Sequence, residues 1–211
     1  MARPVLYVLV GVNGACKSSI GGHLLARAGL IWFNPDTFAR ELIAITGCHQ
    51  ESANAQAWAE GVRRLDEAVA GRQSHAFETT LGGRTIAAKL QAATSSHDVI
   101  IWFCGLDSPD RHLARVQARV AQGGHDIPEA KIRARYAQAQ QNLLALMPDL
   151  AHLAVCDNSV EVAIGDPIPD PVLVLELADR RLVYPAGDDT ATLGGTPEWA
   201  KAMVEAALSL A

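Results

Sequence analysis

Helical and extended patterns of hydrophobic residues alternate along most of the chain. Extended apolar runs predict strands at Val5–Val10, Leu30–Phe33, Ser74–Glu78, Asp98–Leu106 and Ala151–Cys156. Apolar residues at helical spacing predict helices between them, at Lys17–Ala28, Pro35–Thr46, Glu51–Ala70, Arg84–Thr94, Pro109–Gln122 and Pro128–Met147. Because alternating strands and helices usually build parallel sheets, we expect a three-layer α/β fold with a mostly parallel sheet.

The ends of two of these helices carry clear signals. Asn34 is a good N-cap and Pro35 suits a first helical turn, while Gly47 is expected to end the same helix. The long helix that follows is predicted to carry five residues on its apolar side, namely Ala57, Trp58, Val62, Leu65 and Val69.

The character of the chain changes after Asn158. A proline-rich stretch, Asp166–Pro171, predicts a stiff linker. Beyond it, Val172–Leu177 and Arg181–Tyr184 predict a β-hairpin, and Pro197–Leu208 predicts a last helix. We therefore expect a main domain over residues 1–165, with a hairpin and helix from 166–211 packed on it.

Composition limits the classes of function. The chain has 211 residues, 49% of them hydrophobic, and a net charge of −5, which argues against a general nucleic-acid binder. Its apolar runs are too short to predict a membrane span. Four cysteines lie far apart in sequence, without a CxxC pair. This usage favours a reduced, cytoplasmic protein with free thiols.

The stretch from Gly11 to Ser18 follows the first strand and precedes a helix, as a phosphate-binding loop does. Glycines let backbone N–H groups close around phosphate oxygens, and the helix N-terminus adds further donors. In such a loop Lys17 reaches the β- and γ-phosphates of ATP, and the Ser18 hydroxyl ligates Mg²⁺. The predicted nucleotide-binding residues are Gly11, Asn13, Gly14, Ala15, Cys16, Lys17, Ser18 and Ser19.

One position departs from the pattern GxxxxGK[ST]. Cys16 stands where the pattern has glycine. Its side chain occupies the place where the backbone closes on the phosphates, so nucleotide binding is predicted to be weakened.

Polar residues follow several predicted strands, where a parallel sheet binds its ligands. They are Asp36, Glu78, Thr79, Thr80 and Asp107. Asp36 is either a catalytic carboxylate or a residue that favours the start of its helix. Asp107 resembles a metal-binding acid at a strand end, but we favour a helix cap. Arg40, one turn after Asp36, either holds a substrate anion or pairs with Asp36.

Arginines recur along two later helices. Arg111, Arg115 and Arg119 form one helical stripe, and Arg133 and Arg135 follow the Gly123–Gly124 break. Such arginines either bind the transferred phosphate when a lid closes or form a solvated basic face. His125 and Asp126 are interpreted as hinge and cap residues, because two ligands alone are weak evidence for a metal.

Five strings in order carry a resemblance to a known family: GVNGACKSS, NPDTFAREL, FETTLGGRT, RVAQGGHDIP and DNS. From about residue 4 to 160 the chain resembles the zeta toxin family of P-loop kinases. This resemblance implies a P-loop kinase fold with a helical lid, and transfer of the γ-phosphate of ATP to a hydroxyl of UDP-N-acetylglucosamine. It also implies Asp36 as general base and a substrate-binding strand end at Glu78, Thr79 and Thr80.

The family uses two lid arginines, which match Arg119 and Arg133 best, with Arg135 as a near alternative. The expected partners are a nucleotide, a small-molecule substrate and an antitoxin protein, without nucleic acid or membrane. Two alternatives remain open: a nucleotide-binding protein with little or no catalysis, impaired at Cys16, or a P-loop kinase for another metabolite.

Overall fold

The computed structural model describes residues 2–15, 17, 29–161 and 169–210. Apart from Lys17, the predicted helix over Lys17–Ala28 lies outside the described residues. Residues 162–168, which include part of the predicted linker, lie outside them too. The described strands are β1 (Val5–Val10), β2 (His75–Thr79), β3 (Asp98–Gly105), β4 (His152–Asp157), β5 (Val172–Ala178) and β6 (Arg181–Tyr184). The described α-helices are α1 (Pro35–Thr46), α2 (Gln50–Ala70), α3 (Arg84–Ala93), α4 (Pro109–Ala121), α5 (Glu129–Leu146), α6 (Thr190–Gly194) and α7 (Lys201–Leu208).

The strands form one six-stranded sheet in the order β2-β1-β3-β4-β5-β6. Strand β1 pairs in parallel with β2 on one side and β3 on the other, so that Val8 lies opposite both Phe77 and Ile101. Consecutive β1 residues Val8, Leu9 and Val10 are all buried, which requires cover on both faces of the sheet. The predicted three-layer α/β fold with a mostly parallel sheet is confirmed.

The predicted ends of α1 are also confirmed. The side chain of Asn34 accepts hydrogen bonds from the backbone N–H groups of Asp36 and Thr37, at 2.9 and 3.1 Å. Gly47 ends the helix in the left-handed conformation, with φ 69°. Asn34 and Gly47 thus fix the two ends of α1.

The predicted strand over Leu30–Phe33 is wrong. Only Phe33 bridges to the sheet: its N–H donates to Ala76 O, and its carbonyl accepts from Glu78 N–H, both at 2.9 Å. Ile31 is 96% exposed. The pairing stops after one residue because Asn34 already caps α1.

Helices α1 and α2 form a hairpin with a small core of its own. That core consists of three buried alanines, Ala39, Ala53 and Ala57, with Phe38, Leu42, Ile43 and Cys48 packed against it. Trp58, predicted on the apolar side of α2, is 55% exposed. It lies one residue beyond Ala57 and so on the border of the buried stripe.

The C-terminal hairpin and helix extend the sheet as predicted. Strand β5 pairs antiparallel with β4, and β6 pairs antiparallel with β5. A Cβ at Gly105 would lie 2.2 Å from the ring of Trp199, so glycine in β3 lets the last segment pack directly on the sheet. Met203 and Val204 of α7 join the main core. Helix α6 was not predicted.

None of the helices among the described residues is both long and apolar enough to cross a membrane.

Candidate functional site

The glycine-rich loop begins where β1 ends, at the carboxyl edge of the sheet. Gly11 N–H donates to Thr79 O at 3.3 Å, and Ala15 N–H donates to Val12 O at 3.0 Å. Gly14 has φ +88°. The loop therefore turns sharply beside the end of β2. Cys16, Ser18 and Ser19 of the predicted nucleotide site lie outside the described residues.

Two of the loop glycines occupy positions with no room for a side chain. A Cβ at Gly11 would lie 2.5 Å from Cys104 O and 2.9 Å from Cγ of Lys17. A Cβ at Gly14 would lie 2.8 Å from His112 O, in a backbone conformation that favours glycine. The loop can thus pack this closely against Cys104 and His112 only because these residues are glycines.

Groups from three later segments hold the loop from behind. His112 Nδ1 donates to Asn13 O at 2.8 Å. Cys104 Sγ and Asn158 Nδ2 both donate to Ala15 O, each at 3.1 Å. These contacts fix the two carbonyls and so hold the backbone of the loop in place.

His112 is a neutral histidine in this site. Its side chain is 1% exposed, and burial lowers its pKa to about 4, an effect that the hydrogen bond to Asn13 O partly opposes. At neutral pH the ring therefore adds no positive charge beside the loop. Its role is to anchor the backbone.

Lys17 lies on the buried floor of the site. Its ammonium Nζ is 3.6 Å from Glu78 Oε1, and both side chains are more than nine-tenths buried. Asn34 Nδ2 donates to Glu78 Oε2 at 3.0 Å, so the cap of α1 also orients this carboxylate. Lys17 is thus held between the loop and β2 by a negative charge, for which a phosphate oxygen is a direct competitor.

A cleft of about 270 Å³ opens above this pair. It gathers predicted site residues from separate elements, namely Asn13, Lys17, Asp36, Glu78, Thr79, Thr80 and Arg135. Apolar walls are added by Phe33, Ala57, Trp58, Val62, Phe77, Ile86, Ile127 and Pro128. The sequence predicted Asp36, Glu78, Thr79 and Thr80 from strand ends, Asn13 and Lys17 from the loop, and Arg135 as a lid arginine. The fold brings them to one place.

Among the described arginines, Arg135 lines this cleft. Its Nη1 donates to Asn13 Oδ1 at 2.7 Å. Burial lowers the pKa of Arg135, and the negative charge of Asp36 partly opposes that shift. A partly desolvated guanidinium between the loop and Asp36 is well placed to meet the terminal phosphate of a nucleotide.

Gly82 makes this position of Arg135 possible. A Cβ at Gly82 would lie 2.6 Å from Cγ and 3.0 Å from Cα of Arg135. The same turn is tied to α5 by Asn142 Nδ2, which donates to Leu81 O at 2.7 Å and Gly83 O at 3.1 Å. The FETTLGG segment thus docks α5 against the loop.

Six other described residues of the predicted site lie outside the lining of the cleft, namely Gly11, Gly14, Ala15, Arg40, Arg119 and Arg133. Arg133 pairs with Glu129 at 2.7 Å and Asp110 at 2.6 Å on the surface. Arg119 Nη2 donates to His125 O at 3.3 Å, so it braces the segment before α5. Arg40 Nη2 donates to Thr37 Oγ1 at 3.1 Å.

The arginine stripe of α4 binds protein groups. Arg111 pairs with Asp107 at 2.8 Å and with Glu161 at 2.7 Å. Arg115 Nη2 donates to the carbonyls of Asn158 and Val160, at 2.8 and 3.0 Å. These contacts stabilise the stripe without a bound anion, and they tie α4 to the segment that follows β4.

Two predicted caps are wrong. Ser108, rather than Asp107, is the N-cap of α4 and accepts from Arg111 N–H at 3.3 Å. The hydrogen bond from Arg111 holds the pKa of Asp107 below its usual range. Asp126 accepts from Ile127 N–H at 2.8 Å, but the N-cap of α5 is Pro128. Among the described residues, no group of three or more His, Cys, Asp or Glu is arranged to hold a metal ion.

Sequence reasoning missed the residues that anchor the loop from behind. Asn158 lies in the DNS string, which carried the resemblance but no assigned role. His112 and Val116 are both buried residues of α4, four positions apart. A histidine at a buried helical position was the available signal.

Solved structures with this fold include three of interest. A chain of the AvrRxo1-ORF1:-ORF2 complex with ATP matches with a TM-score of 0.56 and 17% identity, over 84% of this chain and 59% of that chain. A chain of the PezAT chromosomal toxin–antitoxin system of Streptococcus pneumoniae matches with a TM-score of 0.53 and 12% identity, over 74% and 68%. A proposed kinase from Chloroflexus aurantiacus matches with a TM-score of 0.52 and 19% identity, over 64% and 78%.

This chain spans less than two thirds of the AvrRxo1 chain that it matches. No protein-family model and no curated protein matches this sequence. At these low identities the likeness establishes the fold. The chain has the fold of the P-loop kinases.

Proposed function

We propose that this protein transfers the γ-phosphate of ATP to a hydroxyl group of a small molecule, with Mg²⁺. The observation that carries the proposal is the buried Lys17, which lies beside a glycine loop and 3.6 Å from Glu78, at the floor of a cleft that also contains Asp36 and Arg135. A cation at the end of a phosphate loop, next to acceptor-side carboxylates, is what phosphoryl transfer requires.

The loop supplies the donor side of the reaction. Its glycines pack closely against Cys104 and His112, where a Cβ would not fit, and in the proposal the loop and Lys17 bind the phosphates of ATP. In the proposal Ser18, outside the described residues, contributes a hydroxyl to Mg²⁺. That ion commonly keeps several waters and needs few protein ligands. When bound, Mg²⁺ neutralises charge on the phosphates.

Asp36 and Arg135 supply the chemistry between donor and acceptor. Asp36 orients the acceptor hydroxyl and takes its proton. Arg135, held by Asn13, stabilises the negative charge that develops on the transferred group. Arg119 and Arg133 remain predicted lid arginines, and they reach the phosphates only if the segment before α5 closes on the cleft.

The acceptor side is formed by the end of β2. Glu78 accepts hydrogen bonds from the hydroxyls of the acceptor, and Thr79 and Thr80 both accept and donate them. The resemblance to zeta toxins favours a nucleotide sugar such as UDP-N-acetylglucosamine as that acceptor. A protein antitoxin is a further proposed partner, supported by the likeness to a chain of the PezAT toxin–antitoxin system.

The alternative proposal is a nucleotide-binding protein with little catalysis. Cys16, in place of the pattern's glycine, favours it, because a side chain there opposes close approach of the phosphates. A P-loop kinase for another metabolite is the third candidate. A transfer assay with several acceptors distinguishes it from the first.

The test is transfer of labelled γ-phosphate from Mg-ATP to UDP-N-acetylglucosamine and to a panel of other hydroxyl metabolites. We expect transfer to at least one acceptor, and a loss of roughly 10²-fold in turnover for Asp36→Asn, the usual scale for a positioned base. ATP affinity should be preserved in this variant. ATP binding without transfer to any acceptor would establish the nucleotide-binding alternative, and full turnover in Asp36→Asn would remove Asp36 from catalysis.

A further inference from the structure

The buried ion pair between Lys17 and Glu78 connects the start of the helix after the glycine loop with the end of β2. The Nζ atom of Lys17 lies 3.6 Å from Oε1 of Glu78, and the two side chains are 8% and 6% exposed. Charge-assisted hydrogen bonds from an ammonium to a carboxylate are usually shorter, at about 2.7–2.9 Å. The contact is therefore an electrostatic attraction without a close hydrogen bond, and burial leaves that attraction only weakly screened.

Packing and hydrogen bonds keep the two members of this pair next to each other. A Cβ at Gly11 would lie 2.9 Å from Cγ and 3.1 Å from Cδ of Lys17, so the stem of the lysine packs against the loop. The Oε2 atom of Glu78 accepts a hydrogen bond from Asn34 Nδ2 at 3.0 Å. The backbone N–H of Glu78 donates to Phe33 O at 2.9 Å. Both the ammonium and the carboxylate are thus placed by the fold.

A phosphate oxygen that binds Lys17 has to compete with this carboxylate. In the structure, the negative charge of Glu78 already compensates the positive charge of Lys17. When a phosphate takes up the ammonium, the buried carboxylate loses part of its compensation and also faces the negative phosphates. Both effects cost free energy, because a buried charge that loses its partner is strongly destabilised. The pair therefore opposes the binding of a nucleotide.

We propose that Glu78 is an internal competitor of ATP for Lys17 and that this contact lowers the affinity of the site for the nucleotide. The inference rests on the proposed function and adds a regulatory contact to the same site. ATP binding transfers Lys17 from the carboxylate to the phosphates, while Asn34 continues to hold the other carboxylate oxygen. The strength of the ion pair then sets the ATP concentration at which the site fills.

The test is a calorimetric titration of the full chain with a non-hydrolysable ATP analogue and Mg²⁺. In Glu78→Gln the side chain keeps its shape and an oxygen that can accept from Asn34, but it has no charge to attract Lys17. We expect this variant to bind the analogue at least about fivefold more tightly than wild type. Glu78→Ala, which also removes the carboxylate, should change the affinity in the same direction.

Two further comparisons separate competition for Lys17 from general charge repulsion. Glu67→Gln is the matched control, because it removes one negative charge from an exposed site on α2, where Glu67 pairs with Arg63. Its affinity should stay within about twofold of wild type, since exposed charges are screened. In the Lys17→Ala background, Glu78→Gln should tighten binding by less than about twofold, because the lysine for which the carboxylate competes is absent.

Circular dichroism verifies that each variant folds, and displacement of a fluorescent nucleotide measures the weaker affinities. Equal or weaker binding in the two Glu78 variants would overturn the inference. An equal gain with and without Lys17 would also overturn it, because the carboxylate would then act by repulsion alone. Both results would leave the proposed phosphoryl transfer intact. If wild type and every variant fail to bind the analogue, the proposed function is wrong, and the inference fails with it.

Discussion

The two walls of the cleft are built in different ways. The glycine loop over residues 11–15 is held by side chains from β3, α4, α5 and the segment after β4. The helical hairpin α1–α2 has its own small core of alanines and contributes exposed residues such as Asp36 and Trp58. One wall is fixed by contacts from distant parts of the chain, and the other is largely self-contained.

In the proposed reaction, the two walls have different tasks, which are to bind the triphosphate and to select the acceptor. Holding a triphosphate demands a loop whose N–H groups are already oriented, since preorganised donors lose least on binding. Choosing an acceptor demands side chains that contact the ligand and can vary without disturbing the core. We therefore expect substitutions behind the loop to affect stability and turnover, whereas substitutions on α2 affect which acceptor binds.

The largest effect is expected from Arg135 on the loop wall. Arg135→Ala should lower kcat by roughly 10²-fold or more, the scale for one lost donor to transition-state charge. Gln141→Ala is the matched control on the same helix, because Gln141 is exposed and lies outside the lining of the cleft. Steady-state kinetics should show a change of less than about threefold for the control. Equal losses in both variants would contradict a specific role for Arg135 in transfer.

The next effect concerns His112, the buried anchor of Asn13. Its pKa is lowered to about 4 in the folded protein, while an unfolded chain binds the proton near pH 6.5. Between these values the unfolded state binds more protons, so the free energy of unfolding should fall as the pH drops from about 6.5 to about 4. The full loss is about 3 kcal/mol for this group.

Urea denaturation at several pH values measures this effect. His112→Gln, which cannot titrate, should flatten the pH dependence in that window, whatever its stability at pH 7. An unchanged slope would show that His112 is not held neutral behind the loop.

The smallest of the three effects is expected at Gly82. Gly82→Ala places a Cβ against the backbone and side chain of Arg135, and such overpacking costs typically about 1–3 kcal/mol. Turnover should fall as well, because α5 must move away from the loop. Gly194→Ala, where a Cβ meets open space, is the control. Thermal unfolding compares the pair, and equal stability would contradict the close fit between this turn and α5.

Much of the fold followed from the hydrophobic pattern. The strands β1 and β3 and the capped helix α1 were predicted within a residue, because continuous apolar runs and the Asn34–Pro35 and Gly47 signals are local. The strand predicted over Leu30–Phe33 was wrong, because whether an apolar run joins a sheet depends on the segments that pack beside it. Only tertiary packing shows that the chain meets β2 at a single residue, Phe33.

The sequence predicted the type of site and most of its polar residues, but it did not identify which arginine faces the loop. Strand ends pointed to Asp36 and Glu78, because parallel strands deliver their following residues to one edge. Arg133 and Arg135 could not be separated, since two residues along a helix turn the side chain to a nearly opposite direction. The close packing of Gly82 against Arg135 and the hydrogen bonds from Asn142 to the turn determine which of the two arginines faces the loop. These contacts join residues that lie far apart in sequence.

The central claim is that the loop and Lys17 bind the phosphates of ATP, and calorimetry with Mg-ATP tests it most directly. We predict that Lys17→Ala weakens binding by about tenfold or more, the worth of a lost charge-assisted contact. Cys16→Gly should tighten binding by roughly five- to thirtyfold, because it relieves about 1–2 kcal/mol of steric cost. Equal affinity of wild type and Lys17→Ala, with both proteins folded, would contradict the account.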